Sequence, residues 1–172
     1  RLIHNTLVGL GVRDQIRIGA SGKIVSAFDM ARVIAMGADW CNSARGFMFA
    51  LGCIQAQACH TGHCPTGVTT QDPVRQQALV VPDKAQRVAN FHRETLVSLM
   101  DMVGAAGLTH PKDITADHIL RRIDANNIAP LSALLPSISE GALLRATEDP
   151  TDWPPVFRNF WHRATPESFS LQ

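Results

Sequence analysis

Arg17-Ile18-Gly19-Ala20-Ser21-Gly22-Lys23 is the stretch on which the fold turns. A short apolar run ends in a Ser-Gly turn, and a helix signal follows at once. Ser26 suits an N-cap, with Asp29 three residues on, close to a capping box. Phe28, Ala31, Ile34 and Ala35 fall on one helical face, and Gly37 fits the C′ position. The same order then returns. Ala38-Asp39-Trp40-Cys41-Asn42 predicts a second short strand, and Ser43 is placed to cap a helix through Phe47, Phe49, Ala50 and Leu51. Strand, turn and helix repeated twice is the rhythm of parallel βα units, so the fold class is α/β. Two parallel strands leave long edges open. The expectation is therefore that this pair belongs to a larger sheet, completed by units in the same or another chain or by a homo-oligomer.

Downstream lies a loop rich in cysteine, with Pro65, Gly67, Pro73 and Pro82. Asp83 with Gln86 resembles a second capping box, and Val88, Phe91, Leu96, Leu99, Met102 and Val103 predict a helix ending near Gly107. A shorter helix is expected from Thr115 through Ile119, Leu120 and Ile123. Pro130, Pro136, Pro150, Pro154 and Pro155 then break the chain into an arm draped over something else. The chain so divides into βα units (residues 1–52), a cysteine loop (53–82), helices (83–123) and an extended tail (124–172).

The 172 residues are 45% apolar and 18% charged, which suits a globular chain with a core. A net charge of +1 without a long basic run gives nucleic acid no footing. Apolar runs such as residues 46–54 are too short to span a bilayer, and the opening Arg-Leu-Ile-His has no signal-peptide pattern. Clustered cysteines without secretory features point to metal or catalytic use in a reducing, cytoplasmic setting.

Two features carry chemistry. Gly22 and Lys23 end the first strand, and Ala44 and Arg45 follow the second. Small residues before a helix expose backbone N–H groups to an anion, and in (β/α)₈ barrels the last βα loops commonly hold a phosphate. Ordinary βα turns would use the same residue types. The second feature is Cys53, Cys59 and Cys64, spaced C-x5-C-x4-C. This is wider than zinc-ribbon pairs and unlike the usual ferredoxin runs. Three thiolates suit a three-iron cluster. Zinc held with His60 or His63, and a loop without metal, remain alternatives. Cys41 stands apart and reads as a small core residue.

These residues resemble the glutamate synthase family. Gly19-Ala20-Ser21-Gly22-Lys23 looks like the seventh strand and phosphate turn of its FMN-binding barrel, and residues 37–46 look like the eighth. Cys59-His60, Cys64-Pro65, Gly67-Val68 and Thr70-Gln71-Asp72-Pro73 match its cysteine loop. The likeness covers residues 10–108. Beyond it, Arg121-Arg122-Ile123 and residues 161–169 are similar to the stand-alone members. The resemblance implies the C-terminal part of a (β/α)₈ TIM barrel, its last two βα units, followed by the cluster loop, helices and an irregular tail. It implies FMN held by backbone at Gly22, Lys23, Ala44 and Arg45, and a 3Fe-4S cluster on Cys53, Cys59 and Cys64. The small-molecule reaction it implies is reductive amination of 2-oxoglutarate to glutamate, with no catalytic residue assigned within these residues. An imine- or amine-handling enzyme on the same cofactors, or a non-catalytic metal-binding fragment, are the other readings. The family's Asp-Gly-Gly turn is Ser21-Gly22-Lys23 here, and its Gly-Thr is Ala44-Arg45.

Overall fold

The computed structural model describes residues 1–145, 151 and 153–167. Helix α1 (Leu2–Gly9) precedes strand β1 (Gly19–Ser21), helix α2 (Ala27–Ala35), strand β2 (Trp40–Asn42) and helix α3 (Arg45–Leu51). The cysteine loop follows, with a 3-10 turn at Cys59–Thr61 and the short helix α4 (Pro73–Gln76). The long helix α5 (Val81–Ala105) leads to a hairpin of β3 (Leu120–Arg122) and β4 (Ile128–Pro130), then α6 (Leu131–Leu134) and α7 (Pro155–Phe160). It is a mixed helix and strand chain. Among the described residues no helix is long and apolar enough to cross a membrane.

Strands β1 and β2 pair in parallel, with Gly19 opposite Trp40, Ala20 opposite Cys41 and Ser21 opposite Asn42. The expected βα repeat is therefore formed. Asp39 holds the start of the pair. Its N–H donates to the Ile18 carbonyl at 2.8 Å, and its carboxylate accepts from the Ile18 N–H at 2.6 Å. Arg13 and Arg17 reach the same carboxylate at 2.8 and 3.4 Å. Burial works against the ionised Asp39, yet the Ile18 N–H and the Arg13 guanidinium outweigh it and hold its pKa below the usual carboxylate value. One face of the pair, Ala20 and Cys41, is half-buried; on the other, Gly19, Ser21, Trp40 and Asn42 are exposed.

The core lies outside the sheet. Ala27, Ala31 and Ala35 of α2 meet Leu99 and Val103 of α5, and Ile114, Ala116, Ile119 and Leu131 close over them. Alanines at four-residue steps let the two helices approach closely. That stripe leaves Phe28 about half exposed, so it is not part of the buried face the sequence suggested. Leu96 is also exposed, and Cys41 is only half-buried.

The capping box of α2 forms in full: the Ser26 hydroxyl accepts from the Asp29 N–H, and the Asp29 carboxylate accepts from the Ser26 N–H. Gly37 follows the C-cap at φ +105°, a conformation glycine adopts without strain. The second capping box does not form. Pro82, which has no N–H to lose, sits in the first turn of α5, so the helix starts at Val81. Asp83 pairs with Lys84 instead, and Gln86 donates to Asn90. The helix expected over Thr115–Ile123 is likewise a turn and a strand. The Thr115 hydroxyl accepts the Asp117 N–H, His118 Nδ1 accepts the Thr115 N–H, and Asp124 accepts the N–H groups of Asn126 and Asn127 to close the hairpin. Such short polar side chains satisfy backbone groups that a helix would otherwise use.

The tail has a definite seat. Leu131 and Ser132 donate to the carbonyls of Ile119 and Ala116. Further on, Asn5 of α1, buried, donates to the Pro136 carbonyl at 2.7 Å, and the Gly141 N–H donates to Val8. The arm thus drapes over α1, an element not expected from the sequence. In the last stretch, Phe157 is buried and meets Trp161 edge-on at 6.3 Å. Of the part expected to resemble stand-alone relatives at residues 161–169, positions 168 and 169 lie outside the described residues.

Candidate functional site

The two turns after β1 and β2 stand side by side. The Ser43 hydroxyl donates to the carbonyl of Ile24, itself buried, at 2.6 Å, tying the second turn to the first. This is why Ser43 does not cap α3, which starts at Arg45 with no side-chain cap. At the start of α2, the capping box already takes up the N–H groups of Ser26 and Asp29. The anion-binding capacity resides in the turns themselves. Among the described residues the backbone N–H groups of Gly22, Lys23, Ala44 and Arg45 have no hydrogen-bond partner in the chain. A Cβ at Gly22 would meet nothing within 4 Å.

These turns open on a groove of about 550 Å³ that gathers Gly22, Lys23, Ala44 and Arg45 together with Cys53 and Cys59. Its backbone is unusual. Lys23, Gln55 and Gln57 have φ of +56°, +57° and +57°, the only non-glycine residues in the left-handed region among those described, and all three line this groove. Such conformations cost energy and collect at functional sites. A larger cavity of about 770 Å³ opens at the opposite end of the strands. It holds none of the expected site residues, and two of the charges that line it, Arg13 and Asp39, are paired with each other.

The seven-residue helix α3 runs from the second turn to the cysteine loop. It ends at Gly52 in the left-handed conformation, which turns the chain into Cys53. Cys53, Cys59 and Cys64 line one pocket, and Met48, Cys53, Gln57 and Cys59 form the wall it shares with the groove. All four cysteines are free thiols. Among the described residues no three His, Cys, Asp or Glu side chains are grouped to hold a single metal ion, neither the three cysteines nor a set with His60 or His63, and neither histidine lines the cysteine pocket.

The motif Thr70-Gln71-Asp72-Pro73 locks the loop. The Thr70 hydroxyl donates to the Gly62 carbonyl, Asp72 caps α4 at the N–H groups of Val74 and Arg75, and Pro73 begins the helix. Buried Gly67, at φ +75°, lies against the Arg75 carbonyl, where a Cβ would collide with backbone. The fold also supplies donors to sulfur. The Thr66 hydroxyl lies 3.4 Å from Cys64 Sγ. With the N–H groups of Thr69 and Thr66 it draws the Cys64 pKa down to about 6, which favours the thiolate that ligates metal. The Thr69 hydroxyl adds the smallest part of that pull, at a geometry short of a hydrogen bond, and is buried with no other partner.

Sequence reasoning missed Thr66, Thr69 and the basic pair Lys84 and Arg87, whose side chains reach the surroundings of Gly52. Their three-residue spacing on α5 was a visible signal that one helical face carries charge towards the loop. Chemically, the free N–H groups of the two turns offer donors to an anion in the groove, and the adjoining pocket gathers three thiols.

Comparison with known proteins matches residues 2–109 to a family model described as the conserved region in glutamate synthase. The chain is 38% identical over 134 residues to the glutamate synthase large subunit-like protein YerD of Bacillus subtilis, covering 78% of this chain and 26% of that protein. It is 38% identical over 98 residues to the archaeal NADPH glutamate synthase of Methanocaldococcus jannaschii, covering 57% and 19%. It is 34% identical over 122 residues to ferredoxin-dependent glutamate synthase 1 of Arabidopsis thaliana, covering 65% and 8%. The chain thus spans about a quarter or less of the curated relatives it matches.

Proposed function

Because this chain belongs to the glutamate synthase family, we propose that it is the segment of a glutamate-synthase-like oxidoreductase that grips the phosphate of FMN and holds a 3Fe-4S cluster beside it. The observation that carries this reading is the shared wall. One groove joins the free N–H groups of both turns to Cys53 and Cys59, and the adjoining pocket adds Cys64. Gly22, Lys23, Ala44 and Arg45 take the phosphate through backbone N–H groups, with the Lys23 and Arg45 charges added. Cys53, Cys59 and Cys64 take the cluster, whose sulfur ligands stand further apart than those of a single ion.

When bound, FMN supplies hydride and single-electron chemistry and the cluster supplies single-electron transfer. The chain's own part is positional. Helix α3 links the phosphate turn to the first cysteine, so one rigid element sets how far apart the two sites lie. Strands β1 and β2 are the last two of a (β/α)₈ barrel, and the remaining units, in the same or another chain, carry the flavin ring contacts and the site for 2-oxoglutarate and its imine. Four free thiols suit a cytoplasmic location.

The test uses the full-length protein purified without oxygen. The expected result is a flavin and iron–sulfur visible spectrum, with iron and sulfide in near-stoichiometric amounts. Cys59→Ser loses the iron and sulfide but keeps FMN, whereas Arg45→Glu weakens FMN retention and keeps the cluster. Stoichiometric zinc without sulfide would remove the cluster from the proposal.

A further inference from the structure

The three thiols are not the only polar groups facing the cysteine pocket. Thr66 and Thr69 line it as well. Resting on the cluster reading above, we propose that Thr66 and Thr69 are positioning residues whose hydroxyls donate hydrogen bonds to sulfur in the pocket and raise the reduction potential of the cluster held there.

The argument is geometric. Cys64 Sγ and Thr66 Oγ1 are 3.4 Å apart, and either atom could donate. A cysteine that ligates metal has no proton, so with metal bound the threonine hydroxyl must be the donor. The Thr69 hydroxyl is more telling. It is buried and has no hydrogen-bond partner among the described residues. A buried hydroxyl without a partner is unfavourable, and in native structures such a group needs an explanation. Here it lines a pocket whose other polar lining includes three thiols, so the acceptor it lacks is sulfur, either a thiolate or a sulfide. Its neighbours are already committed: the Thr70 hydroxyl to Gly62, and the Thr61 hydroxyl to Ala58. Thr66 and Thr69 are therefore the two hydroxyls of this loop left facing sulfur.

The effect on the cluster follows from charge. Reduction adds one electron, so the reduced cluster is the more negative state. A donor hydrogen bond to sulfur stabilises that state more than the oxidised one and moves the potential upward. Gly67 and the Thr70–Pro73 lock keep both hydroxyls in place, since they fix the backbone on either side.

The experiment is a redox titration of the full-length, anaerobically purified protein, following the EPR signal of the oxidised cluster, in wild type, Thr66→Val, Thr69→Val, and the serine variant at each position. Valine keeps the shape and removes the hydroxyl; serine keeps the hydroxyl. The expected result is full cluster content throughout, a lower midpoint potential in each valine variant, and a potential near wild type in each serine variant. Unchanged or raised potentials with intact clusters would overturn this inference and leave the cluster itself standing. Cluster loss in the valine variants but not the serine variants would make the hydroxyls structural posts, which also overturns it. A wild-type protein with no iron or sulfide would overturn the cluster reading, and this inference with it.

Discussion

Lys23 sits at φ +56°, where a side chain is strained and glycine is not. Left-handed backbone costs a non-glycine residue roughly 1–2 kcal/mol, and glycine brings back about 0.4–1 kcal/mol of unfolded-state entropy. Lys23→Gly is therefore expected to stabilise the chain by up to about 1.6 kcal/mol by these figures, while, on the proposed FMN reading, FMN is released at lower salt than from wild type because a positive charge is gone. Thermal melts and flavin retention on one sample check both halves; a less stable variant would show that the strain is absent. At Gly67 the opposite holds. Its φ of +75° and its contact with the Arg75 backbone leave no room for a Cβ. Gly67→Ala is expected to lose at least about 1–2 kcal/mol and to lower iron content, measured per protein, by opening the turn between Cys64 and α4.

Among the elements, the strand pair hangs on one carboxylate. The folded Asp39 pKa is held down, and so is that of Asp29, chiefly by the Ser26 N–H. A depressed carboxylate contributes stability that is present above its unfolded value, near 4, and lost as pH falls through its folded value. Asp39→Asn is expected to cost about 1.5–3 kcal/mol near neutral pH, the range for a hydrogen bond to a charged group. The variant and wild type should converge as acid protonates Asp39. Melting temperature against pH tests this, and a gap that widened in acid would contradict the assignment. Elements with repeated local signals were legible, as with the Ser26–Asp29 box and α2. The hairpin at β3 and β4 was not, because Ile119, Leu120 and Ile123 carry helical spacing, while Thr115 and Asp124 settle the backbone through turns.

For the whole molecule, the decisive feature is the open face of the sheet. Trp40 on that face is about half exposed, as are Ile16 just before β1 and Phe28 on α2. Each of the two strands also has an unpaired edge. Such a surface seeks cover. These residues expressed alone are expected to self-associate in sedimentation velocity runs, whereas the full-length protein should have a defined mass; a dilution-independent monomer would mean the sheet needs no further strands. The residues themselves determined the parallel βα repeat, the glycine stop of α2 at Gly37, the cysteine spacing and the two turns, because each is set by chemistry within a few positions of the chain. Only the tertiary structure decided that α1 and the tail clasp each other, that the core is built from α2 and α5 rather than from the strands, and that Ser43 joins the two turns instead of capping a helix. It alone set Lys23, Gln55 and Gln57 around one groove and turned Thr66 and Thr69 towards the cysteines. Those relations depend on contacts between residues far apart in sequence or on backbone angles imposed by packing, and no local pattern of residue types encodes them.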